Sequence, residues 1–308
     1  MLKSRLMAKI KLGIALGGGA ARGLAHIGVL EVLEEEGLVP EVYAGTSMGA
    51  LISAIYLSSQ KPASWLRERL YEFIKSEVFK KARFDVLKES KPEENEGILE
   101  SVAQTLRKGI MYTYSITRES IIPREIFTQI IEELVPDIKI EDLPKPFCAV
   151  SLDVFSGQEV VWTQGSLRQA VMASSAIPGF FPPMVVENKI LVDGGYTNSV
   201  PVRPCRKLGA ELVVAVDTSR GSEEIFEFRR GLDLILRTAQ IMMKTLRELQ
   251  LEEAEVLIQP PVMDIHWADF SNPDLIIERG RHSAMVKVRE IRFQLRKKRW
   301  KKFVQLKR

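Results

Sequence analysis

A serine that attacks an ester needs a base for its proton and amide donors for the charge that forms on the attacked oxygen. One serine is set for this. Ser47 lies in Gly45-Thr46-Ser47-Met48-Gly49, a G-x-S-x-G sequence between the apolar run Val42-Tyr43-Ala44 and a helix-like run from Ala50 to Ser58. In a strand, turn, helix setting the serine sits on a strained elbow with its hydroxyl exposed. Gly45 and Gly49 permit the close backbone approach that side chains would block. The five-residue pattern alone arises by accident in about one chain of this length in ten, so Ser47 needs support from elsewhere.

Gly17-Gly18-Gly19-Ala20-Ala21-Arg22-Gly23 follows the apolar run 10–16 and opens a helix marked by Ile27, Leu30 and Leu33. Backbone N–H groups and the positive helix end converge in such a loop, which makes it an anion site. A dinucleotide fingerprint fits neither register, because Arg22 or Ala20 stands where glycine is required, and a P-loop Gly-Lys-Ser/Thr is absent. An oxyanion hole built on the amides of Gly18 and Gly19 fits. Arg22 would contact an acyl or phosphate group, or orient the loop. Downstream, the strand-like run 189–192 ends in Asp193-Gly194-Gly195. Read as a parallel strand, it delivers Asp193 to the edge where open α/β sheets hold ligands; the alternative is a turn-forming Asp-Gly pair. Ile177, Phe180 and Phe181, in a proline-rich corner, and Met111, Tyr112 and Tyr114, in an apolar aromatic segment, are candidate pocket walls or ordinary core.

The elements that must carry these residues alternate. Strands are expected at 10–16, 42–44, 147–153, 158–163, 189–192, 212–216 and 256–259, with helices between them and a long helix over 225–253. That order predicts an α/β fold of three layers, a mostly parallel sheet with helices on both faces. Residues 88–97 read as a polar surface loop, and Asp217, at the end of a strand, as structural. The basic start, Met1 to Lys11, leads through a short apolar run into the glycine loop and reads as a first strand rather than a signal peptide.

Net charge is +4, yet residues 287–308 hold eleven Lys or Arg against Glu290 alone. The basic character therefore belongs to the tail. We expect one domain over 1–283 and a basic helical tail over 284–308, whose Val288, Ile291 and Leu295 form one apolar stripe and Val286, Phe293, Trp300 and Val304 another. The tail is a solvated helix or a peripheral contact for an anionic membrane; nucleic acid is not expected, and oligomeric state is left open. Two distant cysteines, Cys148 and Cys205, favour neither a disulfide framework nor a metal site and suit a cytoplasmic setting.

The glycine loop, the elbow, the block 173–183 and the block 193–201 together resemble the patatin-like phospholipase family, over roughly residues 9–220, and most of all its bacterial stand-alone members related to the catalytic domain of neuropathy target esterase. The resemblance implies a patatin-like fold and a Ser–Asp dyad: Ser47 as nucleophile, Asp193 as base, Gly18 and Gly19 as oxyanion hole, with Gly17, Arg22, Gly23, Gly45, Gly49, Gly194 and Gly195 in support. It implies an acyl-enzyme and no metal or cofactor. Phospholipid, lysophospholipid and neutral lipid all present a suitable carbonyl. Two alternatives stay open: a Ser–His–Asp triad using His266 or His282, since His26 lies too early for that chain order, and an acyl-binding or regulatory module with weak hydrolysis.

Overall fold

The computed structural model describes residues 9–84, 119–219 and 231–305. Eight strands form one sheet: β1 (Leu12–Leu16), β2 (Val42–Thr46), β3 (Phe147–Asp153), β4 (Gln158–Trp162), β5 (Met184–Val186), β6 (Lys189–Asp193), β7 (Leu212–Val216) and β8 (Val256–Ile258). Their order is β5-β6-β3-β2-β1-β7-β8, with β4 also paired to β3. β1, β2, β3, β7 and β8 run parallel. Helices on both faces bury such strands completely, which is why they read as unbroken apolar runs in sequence. Alternate side chains feed two cores: Ile14, Leu16, Tyr43 and Phe147 enter the larger one, and Ala15, Val42, Ala44 and Val213 the smaller.

β6 departs from expectation. It pairs antiparallel with β3 and with β5, because a tight β5–β6 hairpin returns the chain where a parallel strand would need a long crossover.

Helices α1 (Ala25–Glu35), α2 (Met48–Ser59), α3 (Ala63–Lys75), α4 (Glu77–Ala82) and α5 (Arg124–Leu134) precede β3, and α6 (Leu167–Ser174) follows β4. Helix α7 (Val202–Lys207) precedes β7, α8 (Gly231–Leu251) precedes β8, and α9 (Pro273–Gln305) ends the described chain. The boundary expected at 283/284 falls inside α9, a single helix. Of its two apolar stripes, Val288, Ile291 and Leu295 are buried, while Val286, Phe293 and Trp300 stand exposed. Arg292, Lys298 and Lys302 of the basic tail pair with Glu36, Glu255 and Glu211 of the body, which removes them from the charge open to an anionic surface. Cys148 and Cys205 are buried and free. The loop over 88–97 and the segment holding Met111, Tyr112 and Tyr114 lie outside the described residues. Among the described residues no helix is long and apolar enough to cross a membrane.

Helix α9 crosses α1 at backbone contact. A Cβ on Gly28 would lie 2.0 Å from the Ile277 carbonyl oxygen, and one on Gly280 would lie 2.0 Å from that of Ala25. Beside the crossing, buried Glu31 accepts ion pairs from Arg67 at 3.1 Å and Arg281 at 2.9 Å. Gly280→Val is therefore expected to destabilise the fold by about 3 kcal/mol, the upper range for overpacking, in urea denaturation. An unchanged midpoint would show that the two helices do not approach this closely.

Candidate active site

Strand register brings Ser47 and Asp193 together. β4 and β6 both pair with Ser151–Asp153 of β3, so they occupy its opposite edges. β2 pairs with residues 147–150, overlapping β4 at 149 and 150, so β2 and β6 share one edge. Running in opposite directions, they meet carboxyl end to carboxyl end. Thr46 stands opposite Val150 and Asp193 opposite Ser151. The next register position after Thr46 is thus already filled, and the chain must turn out of the sheet at Ser47. It does so at φ 55°, ψ −124°, a conformation that costs a non-glycine residue about 1–3 kcal/mol.

Neighbours hold the elbow in that shape. The Ser47 N–H donates to Ser174 Oγ at 2.9 Å, and Ser174 Oγ donates to the Val150 carbonyl at 2.6 Å. Thr46 Oγ1 donates to the Asn198 carbonyl at 2.8 Å. A Cβ on Gly49 would lie 2.1 Å from the Leu16 carbonyl oxygen, and one on Gly45 would lie 2.4 Å from the Ala50 nitrogen. Both glycines of the motif are fixed by close approach. Ser174 carried no sequence signal of its own; a buried serine in the last turn of a short helix is unremarkable until its partner is seen.

The glycine loop lies beside the elbow, with a Cβ on Gly18 only 3.4 Å from Ser47 Cβ. One expectation for it needs correction. The Gly18 N–H donates to the Ser199 carbonyl at 3.0 Å, and Gly17 N–H to Val216 at 2.9 Å, because the loop continues the β1 ladder beyond the strand. Those amides are occupied within the fold. The Gly19 and Ala20 N–H groups follow them at the loop's crest, and the Met48 N–H begins α2, whose positive end faces Ser47. His26 Nε2 donates to the Gly17 carbonyl at 2.8 Å, and burial lowers the His26 pKa to about 4, so the ring is neutral. Arg22 donates through Nε to the Ile265 carbonyl at 2.7 Å, tying the loop to residues 263–267. Gly23 abuts Met48, and Gly194 packs over the Val150 carbonyl.

Asp193 is 4% exposed. Desolvation raises its pKa from 3.8 to about 6, opposed by hydrogen bonds from the Ser47 hydroxyl and the Gly195 N–H. The Gly195 bond is 2.7 Å long. Burial and the Asp193 charge also push up the Tyr196 phenol. His266 Nδ1 accepts from the Ala268 N–H at 3.2 Å and its ring lies beside Trp267; His282 is exposed on α9. Among the described residues, no group of three or more His, Cys, Asp or Glu is arranged to hold a metal.

Ser47 stands where two pockets join. One is apolar, walled by Met48, Leu51, Leu70, Phe73, Phe127 and Phe181. The other is more polar and holds Gly19, Arg22, Asp193, Tyr196, Met243 and Arg247. Ile177 and Trp267 border both, and Phe180 borders the polar one. Met243 and Arg247 come from α8 and could not be found from sequence, since nothing local marks which face of a helix meets a distant pocket. Arg247 Nε lies 3.5 Å from Asp217, which gives that aspartate the partner its sequence neighbourhood lacked.

The family model described as Patatin-like phospholipase matches residues 14–206. The chain is 32% identical over 222 residues to Patatin-like phospholipase domain-containing protein 6 of Homo sapiens, covering 71% of this chain but 14% of that protein. It is 31% identical over 224 residues to an uncharacterized NTE family protein of Mycobacterium tuberculosis, covering 72% of this chain and 52% of the other. Among solved structures, VipD from Legionella pneumophila aligns with a TM-score of 0.48 at 15% identity, over 91% of this chain and 66% of that one.

Burial of Asp193 has a pH signature. With its pKa raised from 3.8 to about 6, the folded chain binds more protons than the unfolded chain between those values. This group's contribution to stability therefore falls as pH rises through that window and is level above it. Asp193→Asn is expected to exceed the wild type at pH 8 by on the order of 3 kcal/mol, with the gap closing towards pH 4. Urea denaturation across pH measures this. A gap that does not change with pH would mean the carboxyl is not desolvated.

Proposed function

The chain belongs to the patatin-like phospholipase family, and from that premise we propose that it is a lipid ester hydrolase working through a Ser47–Asp193 dyad. The observation that carries this reading is Ser47, on its strained elbow, set beside buried Asp193 at the junction of an apolar and a polar pocket. An acyl chain would enter the apolar pocket and the alcohol portion of the ester the polar one. Selectivity among phospholipid, lysophospholipid and neutral lipid would then lie in the polar pocket.

In this mechanism Ser47 Oγ attacks the ester carbonyl and its proton passes to Asp193. A free aspartate is a feeble base at neutral pH. With its pKa near 6, Asp193 stays ionised at pH 7 while holding a proton far better than a solvated carboxylate does. Charge on the carbonyl oxygen would be met by N–H groups of Gly19, Ala20 and Met48, with the α2 dipole behind them. Collapse of the tetrahedral intermediate expels the alcohol, which takes the proton back from Asp193. Water, losing a proton to Asp193, then attacks the acyl-enzyme and releases the fatty acid with Ser47 restored.

Ser47→Ala and Asp193→Asn should each lower p-nitrophenyl butyrate hydrolysis by about a thousandfold or more, as expected for members of one catalytic unit. His266→Ala and His282→Ala should stay within about threefold of wild type, the range left to residues outside such a unit. A fluorophosphonate should label Ser47, located by peptide mass mapping. Loss of activity in a folded histidine variant would favour the triad, and an unlabelled Ser47 would favour an acyl-binding module.

A further inference from the structure

Helix α8 is amphipathic in the wrong sense for a helix that lies on a protein. Its inward side is anchored by polar groups beside buried Leu251: Gln250 Nε2 donates to the Thr197 carbonyl at 2.6 Å, and Arg247 donates to the Ser219 carbonyl and pairs with Asp217. Its outward side is apolar. Leu234, Ile235, Ile241, Met242, Leu246 and Leu249 are all exposed, with Ile235 at 65%, Met242 at 71% and Leu249 at 58%. With Thr238 and Thr245 these positions recur at three and four residues and fill one arc of roughly 140°, opposite Met243, Arg247 and Gln250. Water is a poor partner for such a stripe.

We propose that the outward face of α8 docks on a lipid surface and holds the mouth of the catalytic pocket against it. This rests on the hydrolase reading above and names the surface from which that site takes its substrate. The inner face of the same helix supplies Met243 and Arg247 to the polar pocket that contains Asp193 and borders Ser47. An acyl ester held in a lipid aggregate must leave it to reach the serine, and contact by α8 shortens that path. Helix length agrees: 21 residues laid flat extend about 30 Å along an interface. The charged residues along one flank are Arg237, Lys244 and Glu248, the last two paired at 3.8 Å. Attraction would therefore be chiefly apolar and would not require anionic lipid, unlike a contact made by the basic end of α9.

The test measures binding apart from hydrolysis. Ser47→Ala protein is co-sedimented with neutral phosphatidylcholine vesicles, with and without Ile235→Gln, Met242→Gln and Leu249→Gln together. The triple substitution should weaken vesicle partitioning by about 100-fold, on the order expected when three large side chains lose partial insertion. With Ser47 intact, it should lower hydrolysis of vesicle-held lipid in step, while p-nitrophenyl butyrate turnover stays within about twofold, as expected for side chains outside the pocket. Unchanged partitioning overturns the proposal. So does wild-type protein that ignores vesicles but forms a dimer, by analytical ultracentrifugation, that the triple variant dissolves; the stripe would then be covered by a second copy. Vesicle binding lost in the triple variant, with no hydrolysis by any form of the protein, would support the docking face and sink the hydrolase reading alone.

Discussion

One edge of β3 carries two strands end to end, and the site follows from that crowding. β2 arrives parallel and β6 antiparallel, so their carboxyl ends converge on the boundary between Val150 and Ser151. Neither strand can extend without displacing the other. The chain after Thr46 leaves as the elbow and α2, and the chain after Asp193 leaves as the Gly194-Gly195 turn. Two side chains far apart in sequence are thereby fixed by the most rigid feature available, a hydrogen-bonded ladder. A loop could bring them as near but could not hold them as firmly.

Electrostatics sharpen what register begins. Asp193 loses water on burial and regains only the Ser47 hydroxyl and the Gly195 amide. Those two donors are too few to return its pKa to the ordinary range, so the carboxylate is left more basic than in solvent. Nearby His26 is pushed the opposite way by the same loss of water, because burial disfavours whichever form is charged. It therefore serves as a neutral donor to the glycine loop. Sequence presents both as titratable groups near a motif; environment separates them into a carboxylate made more basic and a neutral brace.

Much of this was legible in the chain, and the limits have a common cause. Strands such as 147–153 and 212–216 could be bounded because burial on both faces leaves unbroken apolar runs. Ser47 stood out because an elbow needs small residues at fixed offsets. What sequence could not give were partners chosen by distant backbone. The Gly18 amide looked free until Ser199 was seen to accept from it. The direction of β6 depended on a hairpin turn at 187 and 188 that no strong turn pair announced. Arg247 and Ser174 became visible only when a helix face and a ladder position were known.

The site also shows where a fold of this kind concentrates unfavourable terms. Ser47 is held in strained backbone, Asp193 is desolvated, and α8 turns apolar residues to water. Each would relax if its surroundings allowed. The elbow cannot relax because β6 fills the space ahead of it and Ser174 holds its amide; Asp193 cannot reach solvent without breaking its pairing with Ser151. Helix α8 cannot rotate its apolar side inward without withdrawing Arg247 and Gln250 from buried Asp217 and the Ser219 and Thr197 carbonyls, which leaves those acceptors unpaired at a cost of several kcal/mol. The contacts that block relaxation are ordinary ones, carbonyls, hydroxyls and close-packed glycines, and they lie outside the pair that meets at the serine. Stability stored in that unremarkable surround is what lets Ser47, Asp193 and an apolar face persist in conformations they would not adopt alone.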